Sequence, residues 1–305
     1  MSYRSDQSEN MICNRERLFK SSYFKSYDGH VKELLLGDPM ENLWEGIRDP
    51  CAAYFRDNNI RWSRGVHAII DDQVLSAQAS CLNHLFKIRD RQDVVSKMLQ
   101  AIDSSIRYAA LVDTGFIEFS FCSTSNYLME NDYGRGARCT FFDAIMIGVG
   151  EEGERTLFVV DWVYARGFYN IAIPDNVIQR YHPFIRSDST PFIDSESGLL
   201  CFGSFFSLMK KTMLAHQMAS HHDYGCTKYK VIQVCDPKNT GYLYGIRFPG
   251  ISTRGQVDIW KRFLKEPETF HSLSPELFLV PMLEDADCSE LRQYLSLRYG
   301  FGNTI

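Results

Sequence analysis

Thr140-Phe141-Phe142-Asp143-Ala144-Ile145-Met146-Ile147 and, after a short connection, Leu157-Phe158-Val159-Val160-Asp161 are the two stretches that decide how this chain folds. The second is apolar at every position from Leu157 to Val160, as a strand covered on both faces is and a solvent-facing edge strand is not. It is therefore predicted to be central. The connection at 150–153 is short and contains Gly150 and Gly153, so segments 139–149 and 155–164 read as an antiparallel hairpin.

Working outward, segment 108–122, with Phe116-Ile117-Glu118-Phe119, has strand composition. Leu75, Ala79, Leu82 and Phe86 fall on one side of a helix with Asp71-Asp72 as its N-terminal cap, and Val94, Val95, Met98, Leu99 and Ile102 continue that pattern after Arg89-Asp90-Arg91. Downstream of a Ser/Asp-rich loop at 187–198, Phe206, Met209, Met213, Leu214 and Met218 mark another helix. A strand at 228–235 then stops at Asp236-Pro237, because proline cannot donate to a ladder. Helices are expected at 253–264, 275–283 and 287–299. Residues 1–70 are poorly periodic, with short helices near 39–55, and are expected to wrap the outside. The reading is one α/β domain over 1–305 around a small mixed sheet, with a core at about 70–240 and peripheral segments 1–69 and 241–305.

The composition fits an ordinary globular domain. Of 305 residues, 45% are hydrophobic and 23% charged, which excludes a disordered or fibrous chain. A formal net charge of -5 argues against coating nucleic acid by bulk charge, while leaving room for a local basic groove. No run approaches the roughly 20 apolar residues that span a bilayer. The polar start at 1–9 lacks the apolar core of a secretory signal, so a cytoplasmic protein without membrane contact is expected. Nine cysteines without C-x-x-C spacing read as reduced, mostly buried thiols.

The two quoted strands each carry one carboxylate, Asp143 and Asp161. Burying such groups costs several kcal/mol unless a cation or good hydrogen bonds compensate, so two on adjacent strands point to a shared partner. Mg²⁺ is the natural one, since it takes one or two carboxylates and fills its shell with water and phosphate oxygens. The alternative is hydrogen bonding to loop amides or pairing with Arg138, Arg155 or Arg166. His216, His221, His222 and Cys226 do not match common zinc spacings and read as a frayed helix end; a zinc-stabilised structural protein is the reading they would otherwise support. Lys210 and Lys211 read as solvent-facing lysines, and Gly134-Arg135-Gly136-Ala137-Arg138 as a plain turn in preference to a phosphate clamp. No nucleophile elbow or phosphate-binding glycine loop is present.

Four segments, in this order of elements, resemble a group of bacterial restriction endonucleases within the PD-(D/E)XK superfamily, over roughly residues 60–280. They are Ser76-Ala77-Gln78-Ala79-Ser80 with Leu82 to Phe86, Phe142-Asp143-Ala144-Ile145, Leu157 to Tyr164, and Val231 to Asn239. The resemblance implies a restriction-endonuclease-like core of helix, three-stranded antiparallel meander, helix and strand, with helical N- and C-terminal decorations. It also implies Mg²⁺-dependent cleavage of DNA phosphodiesters, with Asp143 and Asp161 as catalytic metal ligands and Glu118 as a third catalytic carboxylate. Two positions depart from the pattern. The lysine that should share a face with Asp161 is Val163, and Arg166 stands where an acidic residue often sits. The resemblance thus implies either weak hydrolysis or a lysine supplied by Lys210 or Lys211. The alternative is a catalytically inactive fold kept as a nucleic-acid or protein interaction module.

Overall fold

The computed structural model describes residues 2–27, 30–62, 73–135, 139–193, 198–248 and 255–300. A hairpin of β1 (Ser22–Tyr27) and β2 (His30–Leu36) precedes the main sheet, which contains β3 (Ile106–Ala110), β4 (Glu118–Phe121), β5 (Phe142–Gly150), β6 (Arg155–Val163), β7 (Cys226–Cys235) and β8 (Phe270–Leu273). Its order is β3-β5-β6-β7-β8, with β4 also paired to β5. β3, β4 and β6 run antiparallel to β5, whereas β7 is parallel to β6 and β8 parallel to β7. The result is a mixed α/β architecture.

β6 is central because both its faces are covered. Phe158, Val160 and Trp162 pack with Ala144, Met146, Leu82 and Val95 on one side, while Leu157 and Val159 pack with Ile145, Ile147, Met209 and Met213 on the other. The turn between β5 and β6 uses Gly153 at φ +86°, a conformation that glycine adopts without steric cost. Parallel pairing of β6 with β7 requires a crossover, and the Gly203–Ser220 helix lies in that connection, against the second face. Gly203 has φ +54°, and a Cβ there would lie 1.6 Å from the Tyr169 carbonyl oxygen, so the helix can begin so close to that chain only with glycine.

Several boundaries differ from the expectations. Segment 108–122 is two strands, β3 and β4, laid end to end along one edge of β5: Ala110 pairs with Ile147 and Glu118 with Ile145. Between them a turn closes from Val112 N to Gly115 O at 2.9 Å, and the Asp113 carboxylate pairs with Arg89 at 2.8 Å. The helix expected from Leu75 to Phe86 is Ala77–Leu85, capped by Ser76 through Ala79 N; Asp71-Asp72 lie outside the described residues. After a short 3-10 turn, Gln92–Ile102 forms a separate helix. The 253–264 helix is described as Gln256–Lys261, and 275–283 divides into Pro275–Phe278 and Val280–Leu283. β8 adds a last strand beyond the expected elements.

The larger correction concerns the periphery. Met11, Leu43, Ile47, Cys51 and Phe55 are fully buried, as are Phe278, Met282, Leu291 and Leu295, and all belong to the cluster beneath Trp162 and Val160. Both ends of the chain therefore complete the core on that face. Arg298, in the Ser289–Tyr299 helix, is entirely buried and ties the ends together. It donates to Asn42 O at 2.9 Å, Val74 O at 3.2 Å, Tyr294 Oη at 2.6 Å and the Asn42 side chain. Its guanidinium also lies over the rings of Phe19 and Tyr299. Among the described residues no helix is long and apolar enough to cross a membrane.

Arg298→Met would keep the volume and strand these buried acceptors without donors. Urea unfolding should show a loss of about 2 to 4 kcal/mol; a change within about 0.5 kcal/mol would mean that the guanidinium does not hold the two ends together.

Candidate active site

Strand register brings the two aspartates together. Ala144 pairs with Val160, and one further antiparallel step sets Asp143 opposite Asp161, on the side chain face of Ile145 and Val159. That face meets the Gly203–Ser220 helix. From the helix, Lys211 Nζ lies 3.1 Å from Asp143 Oδ2 and 2.5 Å from Asp161 Oδ1. Trp162 N donates to Asp143 Oδ2 at 2.9 Å. Arg166 Nη2 is 3.3 Å from Asp161 Oδ1, and Gln233 Nε2, on β7, is 3.5 Å from Asp161 Oδ2 and 3.2 Å from Tyr242 Oη.

Asp161 is 1% exposed and Lys211 8%, so the ion pairs are formed largely out of water. Burial by itself would raise the Asp161 pKa, but the Lys211 ammonium and then the Arg166 guanidinium outweigh it, and the carboxyl is held down at about 2. For Lys211, burial pulls the other way from Asp143 and Asp161, and the carboxylates win: its pKa is raised. The group is thus a charged cluster of two carboxylates and two cations. Asp143, Lys211 and Arg166 line an open cleft of about 390 Å³ together with Ser76, Gln78, Phe141 and Ser207, and Asp161 lies buried behind them. A larger cleft of about 540 Å³ near Thr227 and His216 contains none of the cluster.

The remaining sequence candidates lie elsewhere. Glu118 sits opposite Ile145, two residues further along β5 than Asp143, a same-face step of roughly 7 Å. There it pairs with Arg135 at 2.9 Å and accepts from Tyr224 Oη at 3.3 Å. Burial raises its pKa in spite of Arg135. Arg135 is also spent on Tyr54 Oη and Phe119 O, while 136–138 lie outside the described residues. Lys210 is not solvent-facing either: it lies 3.8 Å from Glu130 and above the rings of Tyr181 and Phe206, and burial lowers its pKa. Val163 packs with Cys235 and Tyr242. His221 stacks on Tyr127 and His216 meets the edge of Tyr229. Among the described residues no three His, Cys, Asp or Glu side chains are grouped to hold a metal, which removes the basis of the zinc reading.

Lys211 is the one of the two substitute lysines that meets the aspartates, and its solvent-facing reading from the residue pattern is corrected by its burial. A signal existed: position 211 is three residues after Leu208 and four before Ala215, both fully buried, so it lies inside the apolar stripe. Gln233 had a similar signal, as a polar residue inside Val231-Ile232-Gln233-Val234.

A model of the family described as restriction endonuclease associating with ARP matches residues 20–300. No curated protein and no solved structure matches the chain.

Two measurements probe the cluster. Lys211→Met leaves two carboxylates with Arg166 as their cationic partner, so the variant should lose about 3 kcal/mol at pH 7 and regain part of it at pH 5 as Asp161 takes up a proton. Equal stability loss at both pH values in urea unfolding would show that the pairing energy is not the cause. In the wild type the Asp161 carboxyl lies below its ordinary 3.8, so its stabilising share is complete above that pH and disappears as pH falls through about 2. That share is worth about 2 kcal/mol. Acid titration of the unfolding free energy should show this fall, and Asp161→Asn should flatten it.

Proposed function

This chain belongs to the family of restriction endonucleases associating with ARP, a PD-(D/E)XK-type family, and from that premise we propose that it is a divalent-metal-dependent nuclease acting on DNA phosphodiesters. Asp143 and Asp161 would be the metal ligands and Lys211 the lysine of the site. The observation that carries the proposal is the buried Lys211 ammonium, held by two carboxylates of neighbouring strands at the wall of an open cleft. A lysine beside Asp161 in the strand would serve the same chemistry from position 163. Here the helix supplies it, and Val163 is left to the core.

The donor set suits Mg²⁺ or Mn²⁺. Two carboxylates with the remaining shell from water and phosphate is a common arrangement for such ions, and Asp143 Oδ1 has no protein donor among the described residues. When bound, the metal would polarise the phosphodiester and acidify a water. The chain's own residues do the rest. The Trp162 amide fixes the Asp143 carboxylate, Gln233 steadies Asp161, and Lys211 Nζ has three hydrogens to divide between its carboxylates and the charge that develops on the attacked phosphate.

A second reading, the inactive interaction module, is favoured by the same cluster viewed without metal, because Lys211 and Arg166 already neutralise both carboxylates. Incubation of plasmid and linear DNA with Mg²⁺ or Mn²⁺ separates the two. The proposal expects cleavage by the wild type, reduced about 100-fold or more by Lys211→Ala, Asp143→Asn or Asp161→Asn. DNA binding without cleavage in either metal would leave the interaction module in its place.

A further inference from the structure

Resting on the nuclease reading above, we infer that Arg166 is the phosphate-binding cation of this site and that it couples metal binding to DNA binding. Asp143, Asp161, Lys211 and Arg166 carry two negative and two positive charges, so the cluster is neutral as it stands. A divalent ion placed on the carboxylates gives it a charge of +2, in a site where Asp161 is shielded from water and screening is weak. That excess is relieved by an anion. Each ligand therefore improves the site for the other.

Both cations line the cleft, and Arg166 is the more open of the two: its side chain is 40% exposed, against 10% for Lys211. Its fork is only partly used. Nη2 holds Asp161 Oδ1, the guanidinium lies 5.5 Å from the centre of the Tyr242 ring, and Nε is buried without a hydrogen-bond partner, which leaves Nη1, with no partner among the described residues, as the nitrogen open to the cleft. A planar guanidinium offers two parallel donors to a phosphate, which an ammonium does not.

The backbone holds Arg166 at the rim. Strand β6 ends at Val163, and Ala165 then turns the chain with φ +51°, a left-handed conformation that a non-glycine residue rarely adopts. Asn239 Nδ2 donates to Arg166 O at 3.0 Å, and Phe168 N to Gly241 O at 2.9 Å. The turn sends the Arg166 side chain back over Asp161, five positions earlier in the chain. Strain kept at such a point is characteristic of functional sites. Arg4 Nη1, 3.4 Å from Ala165 O, adds a second positive charge to the same rim.

Calorimetric titration of Mn²⁺ into the protein, alone and with a short phosphorothioate DNA duplex that resists cleavage, tests the inference. In the wild type DNA should tighten Mn²⁺ binding about tenfold or more, and Mn²⁺ should tighten DNA binding by the same factor. Arg166→Gln should move the two quantities in opposite directions: Mn²⁺ alone binds several-fold tighter, because a competing cation is gone, and the coupling factor falls toward one. Arg166→Lys, which keeps the charge without the fork, should retain weak binding of Mn²⁺ alone while losing most of the coupling. Circular dichroism would establish that both variants fold, and Arg4→Gln provides a further variant, expected to weaken DNA without altering Mn²⁺ alone. Coupling that survives Arg166→Gln, or Mn²⁺ binding that weakens in it, overturns the inference and leaves the nuclease reading standing. Failure of the wild type to bind Mn²⁺ even with DNA overturns both.

Discussion

An ammonium enclosed by two carboxylates of neighbouring strands, Lys211 with Asp143 and Asp161, is the constraint to which the architecture around it answers. None of the three could be buried alone, because an unpaired ion in a protein interior costs several kcal/mol. Their meeting requires that β5 and β6 pair in one register, that both aspartates face the same way, and that the Gly203–Ser220 helix present position 211 and not position 210 to the sheet. A register slip of one residue would turn one carboxylate into the opposite apolar cluster. A shift of the helix by one residue would rotate Lys211 by about 100° away from both. The ion cluster thus ties the docking of the helix to the register of the two strands.

The two faces of the sheet have different tasks. On the face of the ion cluster lies one long helix, and the cleft opens at its edge between that helix, the segment after β6 and the start of helix 77–85. The other face is closed by helices 77–85 and 92–102 together with both ends of the chain. Arg298 joins those ends with its charge satisfied by carbonyls, an amide oxygen and aromatic rings. The division explains why poorly periodic segments are nonetheless buried. They are short pieces fitted around Trp162, Tyr164 and Tyr299, so no regular repeat of apolar residues is needed to hold them.

The apolar residue at 163 follows from the same geometry. The position shares a face with Asp161, but beyond the cleft it meets Cys235 and Tyr242, and a lysine there would be buried among them. Supplying the cation from a helix that crosses the sheet places the charge over both carboxylates at once. It also leaves the strand end free to turn at Ala165, which is what returns Arg166 to the site.

Period and composition alone determined the central hairpin. Leu157 to Val160 can be apolar throughout only if covered on both sides, and the short glycine-containing turn leaves little choice but antiparallel pairing. The helices at 77–85 and 203–220 were equally legible, since their apolar residues recur with the helical period. The split of 108–122 was not, because Asp113 and Gly115 turn the chain inside a segment whose composition remains strand-like. The two aspartates stood out as charges in apolar strands. Their partner did not, since adjacent lysines on a helix look alike in sequence and differ by about 100° in direction, a difference that only docking against the sheet converts into burial for Lys211 beside Asp161 and a separate contact for Lys210 beside Glu130. For the same reason Glu118, a carboxylate in a strand like the others, was drawn by register to Arg135. The sequence determined which groups needed partners, because burial of charge is a local cost. Which partners they received was decided by tertiary structure, because an ion pair depends on distances between elements that the order of residues does not encode.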